Sequence, residues 1–85
     1  MKYKRLLIPS ARYFFTVVTH KRRAIFNNEQ TINTLRQAFQ KVRLKYPFQI
    51  GAIVILPDHI HCAWTLPEND TDYATRWRLI KTWFT

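Results

Sequence analysis

From Tyr13 to His20 the chain reads Tyr-Phe-Phe-Thr-Val-Val-Thr-His, with rings and β-branched side chains at both odd and even positions. Such a run predicts a strand that is central or covered on both faces. Ile32, Leu35, Phe39, Val42 and Tyr46 then recur at spacings of three and four, the stripe of an amphipathic helix reaching about Lys45. Asn27 or Asn28 is placed to cap it, with Gln30 three residues after Asn27, and Pro47 ends it. Arg36, Lys41 and Arg43 fall mostly off the stripe and are expected in solvent. The apolar run Gln49 to Leu56 predicts a buried strand, with Gly51 permitting a bulge or close approach. Pro57-Asp58 supplies a tight turn into a further strand, so these two strands should form a hairpin. After a break at Pro67 to Asp70, Asp70 or Thr71 is expected to cap a second helix. In it Tyr73, Trp77, Ile80 and Phe84 share one face, while Arg76 and Lys81 lie away from it.

The order strand, helix, strand, strand, helix is that of an α+β, ferredoxin-like fold (βαββα) without its last strand and C-terminal helix. A right-handed crossover makes the first two strands parallel, and the hairpin places the third between them, antiparallel to both. The first strand is then left with an unpaired edge. A single domain over residues 1–85 is expected, cut short at its C-terminus and preceded by a basic arm at 1–12.

The strand expected to be central carries His59-Ile60-His61. Alternate side chains on a strand point to opposite faces, so His59 and His61 project together, away from Ile60, Cys62, Trp64 and Leu66. Neutral imidazole binds borderline divalent metals, and two of them leave coordination positions for a substrate oxygen. By itself His-x-His on a strand is a common pattern. Cys62, on the other face, reads as a small core hydrophobe, and His20 as a polar residue at a strand end. Trp64 belongs to the core, while Trp77 and Trp83 lie on different sides of the second helix and cannot both be buried alike.

Charge narrows the partner class. The chain of 85 residues has 14 Lys and Arg against 5 Asp and Glu, a formal charge of +9, and its 47% hydrophobic content with one glycine excludes disorder. An excess of this size attracts polyanions through counterion release, with nucleic acid foremost; a ribosome or an anionic membrane surface would satisfy it too. Lys4, Arg5 and Arg12, interleaved with Tyr3 and Tyr13, have the composition of a segment that tracks a single strand. Lys21-Arg22-Arg23 is placed to hold phosphates at the end of the first strand. One cysteine, no apolar run of about 20 residues and no signal-peptide core predict a cytoplasmic chain that does not cross a membrane.

Three segments together resemble the REP-associated tyrosine transposases, members of the single-tyrosine HUH class named for His, a hydrophobic residue and His. They are Tyr13 to Arg23, Leu56-Pro-Asp-His-Ile-His-Cys-Ala-Trp-Thr-Leu-Pro67, and Arg76-Trp-Arg-Leu-Ile-Lys81. The resemblance runs from about Tyr3 to the last residue. It implies a ferredoxin-like nuclease domain that recognises a hairpin in single-stranded DNA and cuts near its foot. A tyrosine attacks the phosphorus to give a 5′-phosphotyrosyl link and a 3′-hydroxyl. His59 and His61 occupy the motif positions and would bind Mg²⁺ or Mn²⁺.

The chain departs from the family at Pro9-Ser10-Ala11, where a glycine often follows the proline. The resemblance also places the nucleophilic tyrosine and the side chain completing the metal shell on a later helix, beyond the matched segment. Tyr73 is the only tyrosine after the histidines, yet it fits the core stripe of the second helix and does not match the nucleophile's motif. These 85 residues are therefore expected to bind DNA without cleaving it. Two other readings compete: a nonenzymatic nucleic-acid-binding module of RNA-recognition type, which would expose aromatics on the two inner strands, and a basic structural or ribosome-associated protein. Monomer and dimer are both compatible with the sequence.

Overall fold

A computed structural model describes residues 11–85. Lys4 and Arg5 lie outside the described residues, as does the rest of the expected arm up to residue 10. Arg12 does not belong to an arm: it opens strand β1 (Arg12–Val18). The chain continues through a 3-10 turn (His20–Arg22), helix α1 (Glu29–Lys45), strands β2 (Gln49–Leu56) and β3 (His59–Thr65), and helix α2 (Tyr73–Phe84). The strand order is β1-β3-β2, with β3 antiparallel to both neighbours. This is the α+β, partial ferredoxin-like arrangement that the element order predicts.

Both helices pack on one face of the sheet. Tyr13, Phe15 and Val17 of β1 and Ile60, Cys62 and Trp64 of β3 turn toward them, and Trp64 forms the centre of the core. Its ring stacks on Trp77 of α2 at 4.5 Å between centroids, with Phe48 at 4.2 Å and Phe15 at 4.8 Å. Leu35, Ala38, Phe39 and Val42 bring α1 into the same cluster, and Ile80 and Trp77 bring α2. Phe26 and Phe48, in connecting segments, are buried with them. Trp83 is the exposed member of the α2 pair, with the Lys41 ammonium 4.8 Å above its ring.

Four expectations are corrected. β1 is covered on one face only, since Phe14, Thr16 and Val18 alternate outward; its apolar character on both sides marks an open surface. β2 is not buried either. It is an edge among the described strands, with Ala52, Ile53 and Val54 exposed, and the expected irregularity at Gly51 is a register shift between Ile50 and Ala52. The α1 cap is Asn28, one of the two expected candidates, its side chain accepting from Thr31 N at 2.8 Å, but α2 is capped by Asp72 and not by Asp70 or Thr71, the Asp72 side chain accepting from Thr75 N at 3.1 Å.

The fourth concerns Arg76, which is only 2% exposed. Its guanidinium donates to both carboxylate oxygens of Asp70 (3.2 and 2.9 Å) and to the carbonyls of Tyr46, Pro47 and Asp72. A buried cation is tolerable when its donors are satisfied in this way. The clamp ties the start of α2 to the end of α1, so Asp70 anchors the helix entry instead of capping it.

Candidate functional site

The sheet face opposite the helices is open. By the register of β3 it carries His59, His61, Ala63 and Thr65. Across from His61 stand Thr16 on β1 and Val54 on β2; across from His59 stand Val18 and Leu56. The two imidazoles are thus neighbours on the central strand, their centroids 4.8 Å apart and their planes at 87°.

Each ring is held through Nδ1. His59 Nδ1 lies 2.7 Å from Oδ1 of Asp58, and His61 Nδ1 lies 3.0 Å from the Thr16 hydroxyl. Nε2 of each ring has no hydrogen-bond partner among the described residues. A metal-ligating histidine characteristically engages its second nitrogen with a carboxylate or other oxygen, which fixes the ring and leaves the first nitrogen for the ion. The pair fits a divalent ion in that respect. Among the described residues no cluster of three His, Cys, Asp or Glu surrounds it, so these rings would form two positions of a larger shell. Cys62 faces the core, and burial pushes its thiol pKa up to about 11.

The carboxylate of Asp58 is divided between two donors. Oδ1 takes His59, whereas Oδ2 accepts from Arg22 Nε at 3.0 Å and forms an ion pair with Arg22 Nη2, also at 3.0 Å. The hydrogen bond with His59 does most to hold the Asp58 carboxyl below the usual carboxylate range; desolvation opposes it, and the Arg22 charge adds to the lowering. Arg22 reaches it because Lys21 and Arg22 both adopt left-handed backbone, with φ of 53° and 54°. For residues with a Cβ that conformation costs about 1–2 kcal/mol each. Hydrogen bonds lock the turn: Thr19 N donates to Asp58 O (3.0 Å), Arg22 N to Thr19 O (3.0 Å) and the Thr19 hydroxyl to Arg23 O (2.6 Å).

The basic triplet is therefore not a uniform clamp. Arg22 is paired with Asp58, while Lys21 and Arg23 are exposed and make no ion pair among the described residues. Arg12 lies at the far end of the open face, opposite Thr65, with its guanidinium close to Gly51. From Arg12 to Val18 is about 20 Å along the strand, and His61 stands between these basic ends. Phe14, 77% exposed, and Val54 border the shallow depression beside His61.

Tyr73 is on the other side of the sheet. Its ring contacts Tyr13 and Phe15 on the helix-facing side of β1, at 5.1 and 5.4 Å between centroids. His20 is exposed at the 3-10 turn and makes no contact with the pair through a hydrogen bond. Asp58 and Thr16 were not anticipated. Asp58 directly precedes His59 and had a visible signal; Thr16 depends on the β1–β3 register, which no local pattern reveals.

A sequence model described as "Transposase IS200 like" matches residues 8–74. The REP-associated tyrosine transposase of Escherichia coli K12 is 46% identical over 84 residues, which cover 99% of this chain and 50% of that protein. A solved structure of a REP-associated tyrosine transposase bound to a REP hairpin has 46% identity and a TM-score of 0.81, covering 100% of this chain and 51% of the other. A crystal structure from Deinococcus radiodurans R1, 14% identical, shares the fold with a TM-score of 0.72. The chain spans about half the length of the curated relatives it matches. With the family match extending over most of its residues and through the histidine strand, the chain belongs to the IS200-like transposase family.

Proposed function

We propose that this chain supplies the DNA-binding surface and the histidine half of a metal-dependent site for cutting and rejoining single-stranded DNA at a hairpin. The observation that carries the reading is the imidazole pair: two adjacent rings on a central strand, both engaged at Nδ1, with Nε2 left on an open face. The hairpin partner is drawn from the related transposase, whose solved structure has a REP hairpin bound. The ion would be Mn²⁺ or Mg²⁺, with Mn²⁺ the better match for imidazole nitrogen. When bound, such an ion supplies polarisation of a phosphate oxygen and offsets the charge of the displacement.

The chain's own residues would position the strand. Lys21 and Arg23 at one end and Arg12 at the other can hold phosphates on either side of the histidines, and Phe14 offers a ring face to an unpaired base. Joining through a phosphotyrosine would require a tyrosine on the histidine face. Among the described residues there is none, because Tyr13 and Tyr73 pack on the helix side and Tyr46 lies at the end of α1. A DNA partner accords with a cytoplasmic chain. No helix among the described residues is long and apolar enough to cross a membrane.

An RNA-recognition-type module would carry rings on both inner strands. Here the open face of β1 offers Phe14, but that of β3 offers histidines. Titrating the chain against a labelled hairpin with a single-stranded foot, and against a blunt duplex of the same stem, tests the proposal. The footed hairpin should bind more tightly, and Mn²⁺ should strengthen that binding unless His59 and His61 are replaced by alanine. Equal affinity for both DNAs, or indifference to Mn²⁺, would overturn it.

A further inference from the structure

We infer that Asp58, oriented by Arg22, presets the tautomer of His59 for metal binding, while Thr16 leaves that of His61 open until a ligand selects it. The inference rests on the proposed reading of the two rings as ligands and assigns Arg22, Asp58 and Thr16 as positioning residues.

An ionised carboxylate only accepts, so the 2.7 Å contact between Asp58 Oδ1 and His59 requires the proton of a neutral ring to sit on Nδ1. The lone pair is then on Nε2, where a metal would need it. A hydroxyl both donates and accepts, so the 3.0 Å contact between Thr16 and His61 is satisfied by either tautomer. Thr16 Oγ1 has no second hydrogen-bond partner among the described residues that would decide the direction. Two ligands that look equivalent by strand parity are thus unequal: His59 is prepared, and His61 must adapt.

Arg22 enters because it fixes which oxygen serves which partner. Its guanidinium, a donor only, occupies Oδ2 through the Nε hydrogen bond and the Nη2 ion-pair contact and leaves Oδ1 to His59. In Asp58→Asn the same guanidinium would keep the amide oxygen on its own side and turn the amide nitrogen toward His59. That nitrogen donates, so the ring would have to accept at Nδ1 and carry its proton on Nε2. A substitution differing by one atom type should therefore invert the tautomer. Removing Arg22 as well would release the amide to rotate and restore part of the original state.

Long-range ¹H–¹⁵N spectra of the full chain, free of metal and at a pH where both rings are neutral, read the tautomers directly. In the unaltered protein His59 should be the Nδ1–H form and His61 a mixture. Asp58→Asn should move His59 to Nε2–H and weaken Mn²⁺ binding about 10–100-fold, and Asp58→Asn combined with Arg22→Ala should recover part of both. A purely structural role for Asp58 would produce neither inversion nor recovery. Expected tautomers without Mn²⁺ binding to either ring would uphold the positioning and refute the metal reading. His59 in the Nε2–H form, or two rings with the same tautomer populations, would overturn the inference, and this measurement needs no variant to fold.

Discussion

Tyr73 and His61 lie on opposite faces of one sheet. The tyrosine ring packs against Tyr13 and Phe15, whose side chains point to the helices, while the histidine pairs with Thr16, which points away from them. An in-line attack needs the nucleophile about 3–3.5 Å from the reacting phosphorus, which a group separated from the site by the sheet cannot reach. Incubating the 85-residue chain with labelled hairpin DNA and Mn²⁺ should give no protein-linked strand on a denaturing gel. An adduct that disappears in Tyr73→Phe would make Tyr73 the nucleophile.

The basic triplet should divide in its effect on DNA binding. Lys21→Ala and Arg23→Ala should each lower the slope of log K against log salt by about 0.7, the value for one phosphate contact on a single strand. Arg22→Ala should change the slope less, because its charge already faces Asp58. Equal changes for all three, measured by fluorescence anisotropy across a salt series, would show that the Arg22–Asp58 pair opens on DNA.

Phe14 should contribute without charge. Its ring is 77% exposed beside His61, and base stacking on such a ring is worth about 1–3 kcal/mol. Phe14→Ala should weaken single-strand binding accordingly, leaving the salt slope and the melting temperature nearly unchanged. Unaltered binding would remove Phe14 from the DNA surface.

The Arg76–Asp70 clamp makes a prediction about acid. Hydrogen bonds from Arg76, then from the Asp72 backbone, lower the Asp70 pKa in the folded chain below its ordinary value of 3.8. The unfolded state therefore binds the proton more readily, so the clamp's stabilisation is complete above the ordinary pKa and is lost as pH falls through the lower folded value. Thermal melts between pH 7 and pH 2 should show Asp70→Asn less stable than the unaltered chain at neutrality and converging with it in acid. Parallel curves would contradict this.

Much of the site was legible because strand parity is a strict rule. His59 and His61 on one face, Cys62 on the other and β3 between its neighbours all follow from period two and a right-handed crossover. Arg76 was misread because helical spacing gives a direction but not the partners that make burial of a cation tolerable; those come from Tyr46, Pro47 and Asp70. An apolar run does not distinguish a buried strand from one with an open apolar face, which is why β1 and β2 are more exposed than expected. Phe26 and Phe48 carry no periodicity because they sit in connections, and the meeting of Thr16 with His61 is set by register across 45 residues of chain.

The central claim is that His59 and His61 together bind a divalent ion on the open face of the sheet. Titrating Mn²⁺ into the isotopically labelled chain and mapping paramagnetic broadening tests it most directly. Broadening should centre on the two imidazoles, extend to Thr16 and Val54 on the adjoining strands, and vanish when both histidines are replaced by alanine. Broadening centred on the acidic segment from Glu68 to Asp72, and unchanged by that double substitution, would contradict the claim.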